Sequence, residues 1–262
     1  MTLSTPKMSI VIVSWNVHDL LEKNLLQLDA LRSDVLPFEV FVVDNGSRDG
    51  SARMVRERFP HVHLIQNDYN AGFAKACNQA LHLATGDVIL LLNPDMCVLP
   101  GALEKTYTEL MERKDIGVLG VKLLNDHDAI IPSVRRDPHL RDQLSVALKL
   151  PHVFSKILDR YVCKDLDLAV SHDVEQVRGS YFAFRREILE RIGMFDERFF
   201  LWFEEVDFCK RARLYGLRVR YCADATCRDF VGRSFVQVSF WKKQRMFFSS
   251  AAKFFWKWGI FS

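Results

Sequence analysis

The chain has 262 residues, 49% of them hydrophobic and 26% charged, with a formal net charge of +3. This length and apolar content fit one large α/β domain, or one domain with an appendage, and exclude a disordered or repeat protein. The segment 235–262 holds Lys242, Lys243, Arg245, Lys253 and Lys257 and no acid, so the positive charge is local, and without a reading motif it gives no case for a nucleic-acid partner.

The six cysteines form no C-x-x-C pair and have no histidine at zinc-ligand spacing, which fits inert thiols in a reducing cytosol. No signal-like leader and no uncharged run long enough for a membrane span is visible, so a cytoplasmic protein is expected.

In chain order, Ser9–Val13 reads as a buried strand and Leu20–Leu31 as a leucine-rich helix. Phe38–Val43 is a second strand, Ser51–Phe59 a helix preceded by small capping residues, and Val62–Ile65 a third strand. Ala71–Ala84 is a helix and Asp87–Leu92 a fourth strand, with a helical pattern after Pro100-Gly101. Alternating strands and helices predict a mostly parallel wound sheet with helices on both faces. From Asn125 to about His172, mixed charges, prolines and histidines predict an irregular or helical insertion. Regularity returns with Val177–Phe184, a helix over Glu187–Ile192, a helix over Glu204–Tyr215 and the strand Leu217–Cys222.

Polar residues gather where the strands end. Ser14-Trp15-Asn16, Asp44-Asn45-Gly46-Ser47 and Asn93-Pro94-Asp95 close the first, second and fourth strands. In a parallel sheet these ends point one way, and a carboxylate there is well placed to hold a metal under a phosphorylated ligand. Turn chemistry alone accounts for each cluster taken singly. The Asn70–Gly72 start of the third helix offers backbone N–H groups to an anion, with Lys75 and Asn78 in reach of a diphosphate or ribose; capping and solvation are the plain alternatives. Farther on, the aromatic run Phe195–Phe203 delivers Glu204, Glu205 and Asp207 to a helix start. Helical spacing sets Glu204 and Asp207 on one face and turns Glu205 away, while aromatic surroundings raise a carboxylate pKa towards the range of a general base. No G-x-G-x-x-G follows the first strand and no P-loop occurs.

Together, Val13–Asn16, Val42–Ser51, Asn70–Ala74 with Asn78, Leu91–Asp95, Gly179-Ser180 and Phe195–Glu197 leading to Glu204–Asp207 resemble the family 2 inverting glycosyltransferases with a GT-A fold, most closely the rhamnosyltransferase-like branch. The resemblance covers roughly Met8–Ser234 and implies a nucleotide-binding half (about 1–120) followed by an acceptor half (about 121–234). It implies that Ser14 and Asp44 contact the nucleoside, with Asn16, Asn45, Asn70, Gly72, Lys75, Asn78, Asn93 and Gly179 bordering the nucleotide-sugar. Asp95 is the last residue of the family's DxD element, which binds Mg2+ or Mn2+ across the donor phosphates; its first aspartate is Asn93 here. The family's catalytic base, normally Asp after Glu204, is Glu205, and Asp229 stands where a metal-side histidine is expected, followed by Gly232 and Ser234.

The implied partners are a dTDP- or UDP-sugar donor and a glycan or lipid-linked glycan acceptor. A sugar nucleotidyltransferase and a non-catalytic transferase homologue are the competing readings. In 235–262, Phe240, Phe247, Phe254 and Phe261 recur every seven residues with Trp241, Phe248 and Phe255 beside them. That pattern predicts an amphipathic helix, either lying on an anionic membrane surface at the inner face of the cell membrane or packed on the core or on a second copy in a homo-oligomer.

Overall fold

The computed structural model describes residues 6–147, 156–230 and 239–259; the expectations on Gly232, Ser234 and Phe261 lie outside the described residues. Four of the apolar runs become β1 (Met8–Ser14), β2 (Phe38–Asp44), β3 (His63–Gln66) and β4 (Val88–Leu92), which lie in the order β3-β2-β1-β4, all parallel. Successive side chains on a strand point to opposite faces, so one sheet serves two cores. Ile10, Ile12, Val40, Val42 and Leu90 enter one of them, and Val11, Phe41, Val43, Ile89 and Leu91 enter the other. The first core is covered by α1 (His18–Ala30), through Leu21, Leu25 and Leu28, and by α2 (Ser51–Arg58), through Met54 and Val55. On the opposite face α3 (Phe73–Leu81) packs through Ala74, Cys77 and Ala80. Asp49 starts two helices at once: its carboxylate accepts hydrogen bonds from the His18 N–H (2.8 Å) and from Ser51 Oγ (2.6 Å).

Past β4 the chain forms β5 (Met96–Val98), α4 (Ala102–Glu112), β6 (Ile116–Leu124), β7 (Ile130–Ile131), β8 (Val134–Arg135) and α5 (Leu140–Ala147). It continues through β9 (His172–Val174), β10 (Gln176–Val177), β11 (Tyr181–Arg185), α6 (Leu189–Ile192), α7 (Glu204–Leu214) and β12 (Arg218–Asp229). The main sheet extends as β4-β11-β6-β12-β5, with β11 antiparallel to both neighbours. The sheet is therefore parallel in its first half and mixed in its second.

Three expectations change in detail. Periodicity passes over β6, because Gly117 and Gly120 read as breakers. In the fold they are required, since a Cβ on Gly120 would come within 2.6 Å of Val177 and one on Gly117 within 2.8 Å of Leu217. The single run expected over Val177–Phe184 is split by Gly179-Ser180 into β10 and β11, which pair with different partners. The last strand runs on to Asp229 through an irregularity between Cys222 and Thr226, and so carries Asp229 antiparallel to β5. In the insertion, α5 and three short strands account for the regular structure among the described residues.

The C-terminal segment forms α8 (Phe240–Trp258), and one face of it packs on the core. Phe254, Phe255 and Ala251 are buried against Phe199, Phe203 and Val206. Polar contacts fix the helix lengthwise: Ser250 Oγ donates to the Leu201 carbonyl (2.8 Å), Lys253 Nζ to the Arg198 carbonyl (2.7 Å) and Trp258 Nε1 to Asp207 Oδ1 (2.8 Å). Lys257 bridges Asp207 (2.6 Å) and Asp196 (2.8 Å), and no described helix is long and apolar enough to cross a membrane. Replacing Phe254, fully buried at the centre of this cluster, with alanine is expected to cost about 3–5 kcal/mol. Chemical denaturation of Phe254→Ala would measure it, and a loss below about 1 kcal/mol would show that α8 docks loosely.

Candidate active site

The carboxyl ends of β1, β2 and β4 open into a cavity of about 350 Å³, whose lining includes Asn45, Asn70, Gly72, Asn93, Gly179, Glu204 and Glu205. Trp15, Trp202 and, from α8, Lys242 and Met246 complete it.

Ser14 and Asp44 sit in register at the ends of β1 and β2, beneath this cavity and fully buried. Asp44 Oδ2 accepts from the Ser47 N–H (3.1 Å), while Asp44 Oδ1 and Ser14 Oγ have no partner among the described residues. Burial raises the Asp44 pKa, against the Ser47 hydrogen bonds, so this acceptor is held short of compensation. Buried polar atoms left unpaired cost free energy unless a ligand or water meets them, which marks the two strand ends as a polar binding floor.

Asn45 organises the rim. Its amide donates to Asn70 Oδ1 (3.1 Å) and the Gly72 carbonyl (3.2 Å), and its carbonyl accepts from the Ala71 N–H (2.9 Å). Gly72 has φ +90°, and a Cβ there would lie 2.7 Å from the Phe200 carbonyl oxygen. These contacts correct the expected anion site at the start of α3. The N–H groups of Ala71, Gly72 and Phe73 are taken by Asn45, Asn70 and the Phe200 carbonyl respectively, because the loop supplies its own acceptors. Lys75 points to solvent and does not line the cavity. The buried Asn78 instead staples α3 to the second half, donating to the Phe195 carbonyl (2.9 Å) and accepting from its N–H (3.1 Å). Asn16, at φ +52°, clasps the neighbouring loop through Ser47 and Arg48 and does not line the cavity.

Glu204 and Glu205 open α7 directly after Trp202 and Phe203, both in the left-handed region at φ +64° and +71°. Such backbone is strained for these residue types and persists where packing holds it; here Phe203 is gripped by Phe247 and Phe254 of α8. Both glutamates line the cavity, against the expected divergence of Glu205 from Glu204, because side chains in a first turn extend past the helix end as well as sideways. Asp207 is drawn away by Arg211, Lys257 and Trp258. Burial raises the pKa of Glu204 far above the usual carboxylate range, and the neighbouring Glu205 charge adds to it. Burial raises Glu205 as well, but Arg178 opposes the rise. Both carboxyls are thus pushed up as a pair, with the Arg178 cation acting on the Glu205 member.

Next to Asn93 and Pro94 of the lining, but not themselves lining the cavity, Asp95 and Asp229 come together where Asp229 pairs in register with Met96. Asp95 is 5% exposed with Oδ1 unpartnered, and Asp229 is 3% exposed with its pKa raised by burial and, second to Arg178's opposing effect, by the Asp95 charge. Arg178 Nη1 stands 3.0 Å from Asp229 Oδ2 as an ion pair. Two buried, adjacent, under-partnered carboxylates are an oxygen donor set that fits Mg2+ or Mn2+, with remaining positions for water or phosphate. Arg178 was not among the residues expected at the site. Its signal was a lone charge directly before Gly179-Ser180 and a buried strand.

Residues 9–193 match the model of the glycosyl transferase family 2. The chain belongs to that family. This family 2 glycosyltransferase is 26% identical over 219 residues to an N-acetylglucosaminyl-diphospho-decaprenol L-rhamnosyltransferase of Mycobacterium tuberculosis, covering 79% of this chain and 70% of that protein. It is 28% identical to a chondroitin synthase of Pasteurella multocida over 77% of this chain and 22% of that one. Its fold matches a mannosyltransferase from Pyrobaculum calidifontis solved with GDP-Man and Mn2+, at TM-score 0.61 and 22% identity over 95% of this chain and 65% of that one. It also matches S. aureus TarS 1-349, at TM-score 0.60 and 17% identity over 95% and 72% of the two chains. The GT-A fold is therefore shown. The family match ends before Glu204, so the roles of Glu204, Glu205 and Asp229 rest on geometry.

The buried acid pair makes a stability prediction. With its folded pKa raised above the unfolded value, Glu204 contributes full stability below the ordinary carboxylate pKa and loses it as pH rises. Glu204→Gln should therefore melt higher than the parent at about pH 8, with the gap closing towards about pH 5. Thermal melts across that range would show it, and a lower melting temperature for the variant at pH 8 would contradict it.

Proposed function

We propose that this glycosyltransferase is a divalent-metal-dependent inverting enzyme. In this reading it moves a sugar from a nucleoside-diphosphate donor to a cell-surface polysaccharide or lipid-linked glycan acceptor. The carrying observation is the placement of Glu205, half-buried and lining the cavity, together with the buried Asp95–Asp229 pair. Residues of about 1–120 would seat the nucleotide, with Ser14 and Asp44 meeting the nucleoside and Asn45, Asn70, Asn93 and Gly179 bordering the sugar diphosphate. Residues of about 121–234 would seat the acceptor. Rhamnose or a related deoxysugar, carried on dTDP or UDP, is favoured because the mycobacterial relative is named as an L-rhamnosyltransferase.

Glu205 accepts the proton of the acceptor hydroxyl as that oxygen attacks the anomeric carbon, and the C–O bond to the diphosphate breaks on the opposite face. One attack on one face inverts the centre. Asp95 and Asp229 would hold Mg2+ or Mn2+, which when bound supplies positive charge to the departing diphosphate. The Arg178 charge acts on both Asp229 and Glu205 and so adds a cation to the same region.

The outer face of α8 supports attachment to an anionic lipid surface. Trp241, Arg245, Phe248 and Trp256 fall along one stripe, the three aromatics are 80%, 47% and 81% exposed, and the helix carries no acid.

Glu205→Gln should lower turnover by about 10³-fold while donor affinity stays within about twofold, since a base acts in the transition state more than in binding. Near-native turnover would remove Glu205 from the role. For the lipid surface, Trp241→Ser/Trp256→Ser should pellet less with vesicles containing phosphatidylglycerol than the parent does, and equal pelleting would dismiss the attachment.

A further inference from the structure

β5 is an edge strand of the main sheet, paired on one side with β12 and directly preceded by Asp95. An edge strand leaves backbone groups without a partner strand, and buried backbone groups are almost always paired. Here helix α1 supplies the pairing. Gln27 behaves as a residue of a neighbouring strand does: its Oε1 accepts from the Val98 N–H (3.1 Å) and its Nε2 donates to the Val98 carbonyl. Three residues earlier on the same helix face, Asn24 Nδ2 donates to the Met96 carbonyl (2.6 Å) and, at longer range, to the Asn93 carbonyl (3.5 Å).

Those two carbonyls bracket Asp95. Asn93-Pro94-Asp95-Met96 is a β-turn with proline at its second position, closed by the Met96 N–H donating to the Asn93 carbonyl (3.2 Å). The turn is also held from the second half of the chain, where the Asn93 N–H donates to the Ser180 carbonyl (3.0 Å) and the Phe230 N–H to the Asp95 carbonyl (3.2 Å). Its backbone is thus fixed on several sides, while Asp95 Oδ1 has no partner among the described residues. Fixed backbone under a free carboxylate oxygen suits a cation ligand, because a ligand already in place loses little freedom on binding. Asn24 itself is 3% exposed, and its Oδ1 has no partner among the described residues. A buried amide with an unmet acceptor is costly, and its neighbours on the buried face of α1, Leu21, Leu25 and Leu28, are apolar. The grip on the turn is what offsets that cost.

Resting on the reading of Asp95 and Asp229 as ligands of the cation, we propose that Asn24 is a positioning residue for that site: its amide, with Gln27 behind it, locks the Asn93–Met96 turn so that the Asp95 carboxylate stands beside Asp229 before the ion arrives. Removing the amide frees the turn, and the loss falls on metal affinity more than on the fold.

The test uses the full chain and Mn2+ alone, titrated while the EPR signal of the free ion is followed. Asn24→Ala is expected to weaken Mn2+ binding by about tenfold, the scale of loss when a group that orients a metal ligand is removed. Leu28→Ala loosens the same helix against the core and removes no hydrogen bond to the turn. It should lower the melting temperature yet hold Mn2+ affinity within about twofold. Gln27→Ala, farther along β5 from Asp95, should weaken Mn2+ binding by about threefold, and it carries the test if Asn24→Ala does not fold. Unchanged Mn2+ affinity in folded Asn24→Ala or, failing that, in Gln27→Ala, or an equal loss in Leu28→Ala, would overturn the positioning role. Asp95→Asn separates this from the metal reading itself. If Mn2+ binding is as tight in Asp95→Asn as in the parent, the cation site is not there and the positioning role falls with it; binding that needs Asp95 but ignores Asn24 overturns the positioning role alone.

Discussion

The site depends on withdrawing two adjacent carboxylates, the buried Glu204 and the half-buried Glu205, from water. Burying charge is expensive, and proteins meet the cost by neutralising or pairing the group. Here burial raises both glutamates, and the Arg178 charge opposes the rise at Glu205. The pair also requires a rigid platform, because Glu204 follows two aromatic residues in left-handed backbone. The platform is α8, whose Phe254 and Phe247 press on Phe203 and whose Ser250 bonds the Leu201 carbonyl. A segment that looks like a tail in the sequence is structurally part of the active site, and it also contributes Lys242 and Met246 to the cavity wall.

The two halves of the sheet do different work. The parallel half ends three strands at one edge and leaves buried acceptors there, a floor suited to a nucleotide. In the mixed half, the run from Arg178 through Ser180 crosses the cavity between β10 and β11, and β12 carries Asp229 back beside Asp95. The aspartate at position 229 makes an oxygen pair with Asp95 where an imidazole would have given a mixed one. Arg178 answers the extra negative charge, so the unusual residue and the unexpected cation are two parts of one arrangement.

Much of this was legible in the sequence. The four parallel strands announced themselves as apolar runs ending in polar clusters, and the clusters at Asp44, Asn93 and Glu204-Glu205 do gather around one cavity. The misses have physical causes. Gly117 and Gly120 hide β6 because close packing against Leu217 and Val177 demands glycine where propensity disfavours it. Lys75 and Asn78 looked alike as polar residues early in a helix, yet one is solvated and the other is a buried staple, a difference set by what packs opposite α3. Arg178 gave no periodic or motif signal beyond a lone charge before Gly179-Ser180, since a residue at a strand junction has no local pattern of its own.

The central claim is a single displacement served by one carboxylate base. The anomeric configuration of the product, read by NMR against that of the donor, tests it most directly. The account predicts inversion from the first turnover with no covalent glycosyl-enzyme in the mass spectrum of the quenched protein. Retention of configuration, or a sugar attached to Glu204 or Glu205, would contradict it.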